Sequence, residues 1–231
     1  MKIDIGIIGA MEEEVSLLAS SLSDSHIESF SGMNFYIGKL HGKHVAVVKC
    51  GIGKVFAAIA CEAMAIKYSP SLIINTGVGG AIAAGLKTGD IVIADKLVQH
   101  DMDTSPIGDP KGLISGINKI YFDADKRAVD LAKTLAETMG VNAKIGTIAS
   151  GDVFVASSEL KERISTEFSA SVCEMEGGAI AHAAYVNSIP CCVIRAISDS
   201  ADGEATVDYP TFVKSSSEVS ARLTSLLVKE Y

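Results

Sequence analysis

Short apolar runs of strand length recur along the chain, and several are apolar at consecutive positions rather than at alternate ones. Consecutive apolar residues are typical of strands that are covered on both faces of a sheet. Six strands are predicted on this basis, at residues 5–8, 45–48, 72–74, 91–94, 145–149 and 191–197. A further run at 35–37, separated from the 45–48 run by Gly42, predicts a hairpin.

Segments with helical spacing lie between these runs. The first carries Glu12, Glu13 and Glu14 in its first turn, where the positive end of the helix dipole favours carboxylates. The segment that begins at residue 125 stops before Gly140, a residue type that commonly ends helices. The predicted helices are 12–22, 55–68, 125–139, 158–168, 177–186 and 209–228.

Strands that alternate with helices predict an α/β fold. We expect a single domain, residues 1–231, whose mixed, largely parallel central sheet is flanked by helices. A length of 231 residues is ordinary for a single α/β domain. The most loop-like stretch is 101–118, which is rich in Pro and Gly, and loops of that length in compact domains are commonly functional.

Charge and hydrophobicity indicate which kinds of molecule the protein can bind and where it is located. The net charge is −8 and no basic cluster offsets it, so nucleic acids and anionic membrane surfaces are disfavoured as partners. No apolar run approaches the roughly 20 residues that span a bilayer. Residues 3–8 form a first strand rather than the apolar segment of a signal peptide. We therefore expect a cytoplasmic protein that acts on a small ligand.

Cysteine usage predicts free thiols. The chain has five cysteines, an odd number, and none of them forms a CxxC pair. Four of the five lie in apolar, strand-like runs, which favours buried and unpaired side chains. Cys191 and Cys192 are adjacent and would point to opposite faces of a strand, so a joint metal site is disfavoured.

Two glycine-rich stretches approach nucleotide-binding fingerprints without matching them. Residues 51–54 read Gly-Ile-Gly-Lys, but a phosphate-binding loop would need Gly and Ser or Thr where the chain has Val48 and Val55. Residues 77–80 read Gly-Val-Gly-Gly after a strand, but the third small position of a dinucleotide fingerprint is Ile82. Both stretches are interpreted as glycines of tight strand-to-helix turns.

The segment His-Asp-Met-Asp at 100–103 has the residue types of a metal site. Asp101 and Asp103 have no second His or Cys nearby in the sequence, so a solvated loop is the favoured interpretation. We predict neither a metal nor an organic cofactor from the sequence.

Polar and acidic residues collect where the predicted strands end. They occupy residues 9–14, 75–80, 150–155, 174–176 and 195–199. Ligands of open α/β sheets bind beyond the carboxyl ends of the strands. Carboxylates are costly to bury, and those that emerge from apolar strands commonly serve hydrogen bonding or catalysis. We therefore expect a polar site at this edge of the sheet.

These segments resemble the 5′-methylthioadenosine/S-adenosylhomocysteine nucleosidases. The shared motifs are Gly-Ile-Ile-Gly-Ala-Met-Glu-Glu-Glu-Val at 6–15, Gly-Ile-Gly-Lys-Val at 51–55, Ile-Asn-Thr-Gly at 74–77, Ser-Gly-Asp at 150–152, Glu-Met-Glu at 174–176 and Arg-Ala-Ile-Ser-Asp at 195–199. The resemblance implies a homodimeric nucleoside phosphorylase-like fold and hydrolytic release of adenine without a cofactor. Methylthioadenosine, S-adenosylhomocysteine, 5′-deoxyadenosine and aminofutalosine all remain candidate substrates.

The resemblance implies three catalytic carboxylates. Asp199 would be the general acid that promotes protonation of adenine at N7, with Ser198 orienting it, and its place after an apolar strand would favour a raised pKa. Glu14 would bind and polarise the attacking water. Glu176 would accept hydrogen bonds from the ribose 2′- and 3′-hydroxyls. Carboxylates near the sugar stabilise an oxocarbenium-like transition state.

The resemblance also implies the residues that bind the substrate. Phe154 would stack on the adenine, the Val155 backbone would read its edge, and the Met175 backbone would lie beside the ribose. The remaining implied positions are Met11 and Tyr209 on the ribose and 5′ side, Arg195 near the water, Val78, Gly80 and Ile107.

The chain departs from the family pattern on the 5′ side. Val78 stands where the family often has Ser, so a hydroxyl contact is lost there. The loop 104–115 lacks the aromatic residues that often close the 5′ pocket, partly across the dimer interface, although Ile107 and Ser115 remain available. The preferred 5′ substituent is therefore left open.

Two other functions compete with hydrolysis. A nucleoside phosphorylase of the same fold would bind phosphate, but the first-strand loop offers Glu12, Glu13 and Glu14, which repel an anion. The positive charge of Arg195 alone would offset this repulsion only weakly. A non-catalytic nucleoside sensor would not need Asp199 together with two further carboxylates.

Overall fold

The apolar runs of the sequence form the strands of a ten-stranded sheet in a computed structural model that describes residues 2–231. The strands are β1 Ile5–Gly9, β2 Ser23–Phe30, β3 Met33–Leu40, β4 Lys43–Lys49, β5 Leu72–Ala81, β6 Ile91–Gln99, β7 Tyr121–Asp123, β8 Ala143–Ser150, β9 Ala170–Glu174 and β10 Cys191–Asp199. All six strands predicted from consecutive apolar residues are present, and β3 and β4 form the predicted hairpin.

The predicted helices are also confirmed. They are α1 Glu12–Ser20, α2 Lys54–Tyr68, α3 Lys126–Thr138, α4 Ser158–Phe168, α5 Gly177–Val186 and α6 Ala205–Glu230. The last helix begins four residues before the expected start at 209, so Pro210 lies inside it and the helix lacks one hydrogen bond there. None of the helices described is both long and apolar enough to cross a membrane.

The strand order places two strand groups side by side. Strands β5, β10, β6, β8 and β9 pair in succession, and β9 returns to β5, so these five strands close on themselves. Strand β1 pairs parallel to both β5 and β4, and β3 and β2 extend this side to an edge. The expected mixed α/β sheet is confirmed, but its antiparallel share is larger than expected, since half of the pairings among residues 2–231 are antiparallel.

The strand expected to end before residues 174–176 is β9. Three other strand features differ from the sequence-based expectation. Strand β2 was not predicted because its sequence is polar and its residues are mostly exposed at the edge of the sheet. The three-residue β7 is too short to show a pattern. Strand β5 continues through Ala81, so the prediction of a strand-to-helix turn at 77–80 is wrong: those glycines lie inside a fully buried strand. The turn predicted at 51–54 is confirmed, with Gly51 and Gly53 at positive φ before α2.

Apolar side chains pack on both faces of the sheet. One core contains Phe35, Met64 and Cys191, and the other contains Leu18, Ile74 and Cys192. The adjacent cysteines of β10 therefore point to opposite faces, as predicted. All five cysteines are free and buried. The sheet is thus fixed between two apolar layers, which holds the strand ends in register.

Candidate active site

A cavity of about 270 Å³ opens where β1, β5, β9 and β10 deliver their polar residues. It is lined by the three predicted carboxylates, Glu14, Glu176 and Asp199. The structure also brings the following predicted binding residues to its wall: Met11, Val78, Gly80, Phe154, Val155, Met175, Ser198 and Tyr209. Segments that are far apart in sequence therefore converge on one cavity.

Backbone N–H groups from two segments hold Glu14. Its Oε2 accepts hydrogen bonds from the N–H groups of Ala10 (2.6 Å) and Met11 (3.0 Å). Its Oε1 accepts a third hydrogen bond from the Val78 N–H at 3.1 Å. Glu14 also lies in the first turn of α1, at the positive end of the helix dipole. The side chain is thereby fixed between the β1–α1 turn and β5.

Burial raises the pKa of Glu14, while the Arg195 guanidinium and the three N–H donors oppose the rise. The carboxyl is thus buried and yet has hydrogen-bond donors for its ionised form. A carboxylate in this environment can hold a water molecule and accept a proton from it.

Glycines of β5 provide the space that the carboxylates occupy. A Cβ added at Gly77 would lie 2.5 Å from Glu14 Oε1, and one added at Gly80 would lie 2.7 Å from Asp199 Oδ1. Both distances are far below van der Waals contact, so a larger residue would push a carboxylate out of place. The glycines therefore serve close packing rather than a turn.

A buried ion pair lies under the cavity. The Arg195 guanidinium donates to Glu174 Oε2 through Nη2 and through Nε, the latter at 3.1 Å. Glu174 Oε2 also accepts the backbone N–H of Gly177 at 2.8 Å, and Ser150 Oγ donates to Glu174 Oε1. Arg195 Nη2 donates to the side-chain oxygen of Asn75 as well. The guanidinium of Arg195 on β10 thus donates to Glu174 on β9 and to Asn75 on β5, so the ion pair connects these three strands.

Glu176 is held less tightly than Glu174. Its Oε1 accepts the Gly53 N–H at 2.9 Å, and its Oε2 lies 4.0 Å from Arg195 Nη2. Burial and repulsion from Glu174 raise the pKa of Glu176 to about 8, against the opposing effect of Arg195. Its carboxyl lines the cavity and can accept hydrogen bonds from hydroxyl groups of a ligand.

Asp199 ends β10 and faces the same cavity. Its Oδ1 accepts the Ala201 N–H at 2.8 Å, and its Oδ2 accepts the Ser198 hydroxyl at 2.9 Å. Burial raises the pKa of Asp199, and these two hydrogen bonds only partly offset the rise. A carboxyl with a raised pKa and a fixed direction is suited to donating a proton near neutral pH.

Apolar side chains form the opposite wall. The rings of Phe154 and Tyr209 meet edge to face with centroids 5.4 Å apart, and the Tyr209 hydroxyl lies 3.0 Å from Met11 Sδ. Phe154 is 43% exposed, so its ring has a free face for stacking. Ile52 and Val153 also line the cavity, and the sequence analysis missed both. They are single apolar residues in loops, which carry no periodic signal.

Two residues implied by the resemblance do not line the cavity. Arg195 is 1% exposed and lies beneath the floor, where Glu174 and Asn75 occupy its donors. Ile107 is 82% exposed on a one-turn 3-10 helix, outside the cavity wall. A role of Ile107 at the cavity therefore requires a second chain.

The prediction of a solvated loop at 100–103 is wrong for its first residue. His100 is 5% exposed and packs against Gly151, where an added Cβ would lie 2.4 Å from His100 Nε2. Asp101 pairs with Lys54 at 2.6 Å. In residues 2–231, no group of three or more His, Cys, Asp or Glu side chains is arranged to hold a metal ion.

Comparison with known proteins places the whole chain in one superfamily. Residues 4–231 match the family model described as the phosphorylase superfamily. The 5′-methylthioadenosine/S-adenosylhomocysteine nucleosidase of Haemophilus influenzae (strain PittEE) is 40% identical over 227 residues, which is 98% of this chain and 97% of that protein.

Solved structures show the same similarity. The 5′-methylthioadenosine/S-adenosylhomocysteine nucleosidase of Neisseria meningitidis, in complex with methylthio-immucillin-A, has a TM-score of 0.96 and 35% identity, with 99% of each chain covered. The futalosine hydrolase of Helicobacter pylori strain 26695 has a TM-score of 0.95 and 36% identity, with 99% of this chain and 98% of that chain covered. The similarity extends over the full fold and includes every strand that lines the cavity.

The close approach of β5 to Glu14 gives a first prediction. Replacing Gly77 with Ala should destabilise the protein by about 1–3 kcal/mol, because the added methyl overlaps the Glu14 carboxylate in a packed interior. Urea unfolding measures the change. Gly203→Ala is the matched control, since an added Cβ there meets nothing within 4 Å. Equal stability of the two variants would show that the interior accommodates a methyl group at Gly77 without displacing Glu14.

Proposed function

This chain belongs to the 5′-methylthioadenosine/S-adenosylhomocysteine nucleosidase family of the phosphorylase superfamily, and we propose that it hydrolyses the N-glycosidic bond of 5′-substituted adenosines. The products are adenine and the 5′-substituted ribose. The observation that carries the proposal is the set of three carboxylates, Glu14, Glu176 and Asp199, around one cavity with an apolar wall.

The charge of the cavity favours water over phosphate as the nucleophile. Among the residues described, its lining contains no Lys or Arg side chain, and it contains four carboxyl groups. A phosphate dianion requires cationic or multiple N–H donors. Arg195 is the nearest guanidinium, and its donors are already taken by Glu174 and Asn75. Phosphate would therefore find no free cationic donor at the cavity, whereas a neutral water needs none.

In the proposed reaction the bond between ribose C1′ and adenine N9 breaks first, and its electron pair goes to the base. Asp199 donates its proton to adenine N7, which makes adenine a better leaving group. The Ser198 hydroxyl holds the carboxyl in direction through its 2.9 Å hydrogen bond. The sugar develops positive charge, which the surrounding carboxylates stabilise.

Glu14 completes the reaction on the other side of the sugar. A water held by Glu14 forms a bond to C1′, and Glu14 accepts the proton that the water loses. The three backbone N–H donors keep the carboxylate still during this transfer, so little reorganisation is needed. The proton gained by Glu14 and the proton lost by Asp199 balance over one turnover.

The remaining cavity residues bind the nucleoside. Glu176 accepts hydrogen bonds from the ribose 2′- and 3′-hydroxyls, beside the Met175 backbone. The free face of Phe154 stacks on adenine, and the backbone of Val155 contacts its edge. Met11 and Tyr209 border the ribose and the 5′ group, and their mutual contact makes this side apolar.

We further propose that the functional unit is a homodimer. Helices α2 and α5 expose Val55, Ile59, Ile66 and Val186, which line a groove of about 790 Å³. We name these four residues the α2–α5 face. Exposed apolar surface of this kind marks interaction sites. Exposed Ile52 and Phe154 connect the face to the mouth of the cavity, so a second copy could bring Ile107 or Ser115 to the 5′ side.

The setting of the protein is also proposed. We propose that residues 1–231 act as one domain, because β1 and β10, from opposite ends of the chain, both pair with β5. We propose a cytoplasmic location, which the five free thiols support because reducing compartments keep cysteines unpaired. The proposed chemistry uses carboxyl groups and water alone.

Adenine release from methylthioadenosine tests the reaction. We expect release in phosphate-free buffer, at a rate that added phosphate leaves unchanged, because the nucleophile is water. Release that requires phosphate would identify a phosphorylase and remove the proposed role of Glu14. Binding of the nucleoside without release in either buffer would indicate a sensor or a preference for another 5′ group.

Three substitutions test the proton transfers assigned to Asp199 and Glu14. Asp199→Asn should keep nucleoside binding and lower turnover at least about 100-fold, because an amide cannot act as the general acid. Ser198→Ala should cost less, since Asp199 keeps its bond from the Ala201 N–H. Glu14→Gln should be nearly inactive because an amide cannot accept the proton of the water, and it should also be less stable, since its NH2 group cannot accept a backbone N–H bond that Glu14 accepts. Adenine release at the wild-type rate in Asp199→Asn or Glu14→Gln would assign the proton transfer elsewhere.

Sedimentation tests the dimer. The wild-type protein should sediment as two chains, and Ile66→Glu should shift it toward one chain, because a carboxylate would be buried in the interface. Ile27→Glu is the matched control, an equally large change at an exposed position of the edge strand β2. A wild-type protein that sediments as a single chain at assay concentration would refute the dimer.

A further inference from the structure

The segment that carries the adenine-contacting residues has few attachments of its own. Residues 151–157 connect β8 to α4 without regular secondary structure. In the part of the chain that the structure describes, no hydrogen bond holds the backbone of residues 153–156. The side chains of the segment do pack, since Val155 is buried in an apolar cluster and Phe154 meets the Tyr209 ring. Its polar attachments, however, lie only at the two ends, at Asp152 and Ser157.

The Ser157 end is a helix cap. Its side chain accepts the Leu160 N–H at 3.3 Å and its carbonyl accepts the Lys161 N–H, both within α4. This attachment fixes the segment to the helix that follows it. It does not connect the segment to the other elements that line the cavity.

The Asp152 end is attached to the start of α2 and to the loop after β6. Its backbone N–H donates to Asp101 Oδ2 at 2.9 Å, and its Oδ1 accepts the Lys54 N–H at 2.8 Å. Lys54 Nζ in turn donates to Asp101 Oδ1 at 2.6 Å. Lys54, Asp101 and Asp152 thus form a closed triangle of hydrogen bonds, which we name the clasp.

The clasp is partly shielded from water. The side chains of Lys54 and Asp101 are 18% and 29% exposed. Burial alone would raise the pKa of Asp101, but the Lys54 ammonium and the Asp152 N–H outweigh it and hold that pKa below its usual value. Asp101 is therefore ionised at neutral pH, and both of its hydrogen bonds are charge-assisted. Such bonds are stronger than neutral ones.

The clasp also reaches the ribose side of the cavity. Gly53, which precedes Lys54, donates its N–H to Glu176 Oε1 at 2.9 Å. Gly53 is at positive φ, and an added Cβ would lie 3.0 Å from Asp152 Oδ1. Fixing Lys54 therefore fixes the donor that orients Glu176. One triangle thus ties the adenine-contacting segment to the ribose-contacting carboxylate.

We propose that Lys54, Asp101 and Asp152 are positioning residues that set the distance between the adenine and ribose subsites and thereby control nucleoside affinity. None of the three donates or accepts a proton in the reaction. Their removal lets residues 153–156 move and lowers binding, while Asp199 and Glu14 keep their own hydrogen bonds. The inference rests on the proposed function, since it assigns Phe154 and Val155 to adenine.

Three variants test the clasp: Lys54→Met, Asp101→Asn and the double variant. Each single variant should raise KM for methylthioadenosine about tenfold, the cost of one charge-assisted hydrogen bond, with kcat within about threefold of wild type. The double variant should raise KM no more than the larger single effect, because the residues act as a unit. Lys126→Met, which breaks an exposed pair with Asp130 on α3, is the control and should change neither constant.

Adenine binding measured by calorimetry separates the clasp from the reaction. Adenine contacts only the base subsite, so its Kd should rise with KM in the clasp variants. Because Lys54 and Asp152 also border the groove of the α2–α5 face, sedimentation of each variant checks that its assembly matches wild type. Unchanged KM and adenine Kd, or a loss confined to kcat, would overturn the inference. Absence of turnover in wild type with adenine still bound would instead reject the proposed reaction and leave the clasp testable through Kd.

Discussion

The site depends on how one buried cation is shared among several carboxylates. Arg195 lies in the interior with Glu14, Glu174 and Glu176, and burial of each carboxylate costs several kcal/mol. The attraction between two opposite charges about 4 Å apart is worth about 4 kcal/mol at an effective dielectric constant of about 20. One guanidinium can therefore compensate one carboxylate fully and the others only in part.

The hydrogen bonds show which carboxylate receives the compensation. Glu174 takes the direct contacts with the guanidinium, and two backbone N–H groups supplement them. Glu14 relies on three backbone donors, and Glu176 on one backbone donor and a longer contact with Arg195. Burial raises the pKa values of Glu14, Glu176 and Asp199, and all three of these carboxyl groups line the cavity. Raised pKa values in a cleft are a frequent property of catalytic sites.

Much of this arrangement could be predicted from the sequence. Consecutive apolar residues predict the strands, and the rule that ligands bind beyond strand ends directs attention to segments such as 9–14, 174–176 and 195–199. Within these segments the family resemblance singles out Glu14, Glu176 and Asp199. Polar segments at strand ends are a local signal, so they can be read without the fold.

The remainder depends on contacts between distant segments. Strand β2 has no apolar pattern because it lies at an edge, and the Gly-rich half of β5 was interpreted as a turn because glycine is rare inside strands. Arg195 was placed at the water site, although its donors are consumed beneath the floor by Glu174 and Asn75. The clasp joins residues 54, 101 and 152, and no local pattern indicates that such residues meet.

The ionisation of Glu176 tests the unequal sharing of Arg195 most directly. Carboxyl carbon NMR of the unliganded protein, labelled at glutamate side chains, would follow each carboxyl with pH, and the signal lost in Glu176→Gln would assign the resonance. Because burial and Glu174 outweigh Arg195, the pKa of Glu176 should lie at about 8. A Glu176 signal that titrates near the ordinary value of about 4.3 would show that the guanidinium compensates this carboxylate fully and would contradict the sharing.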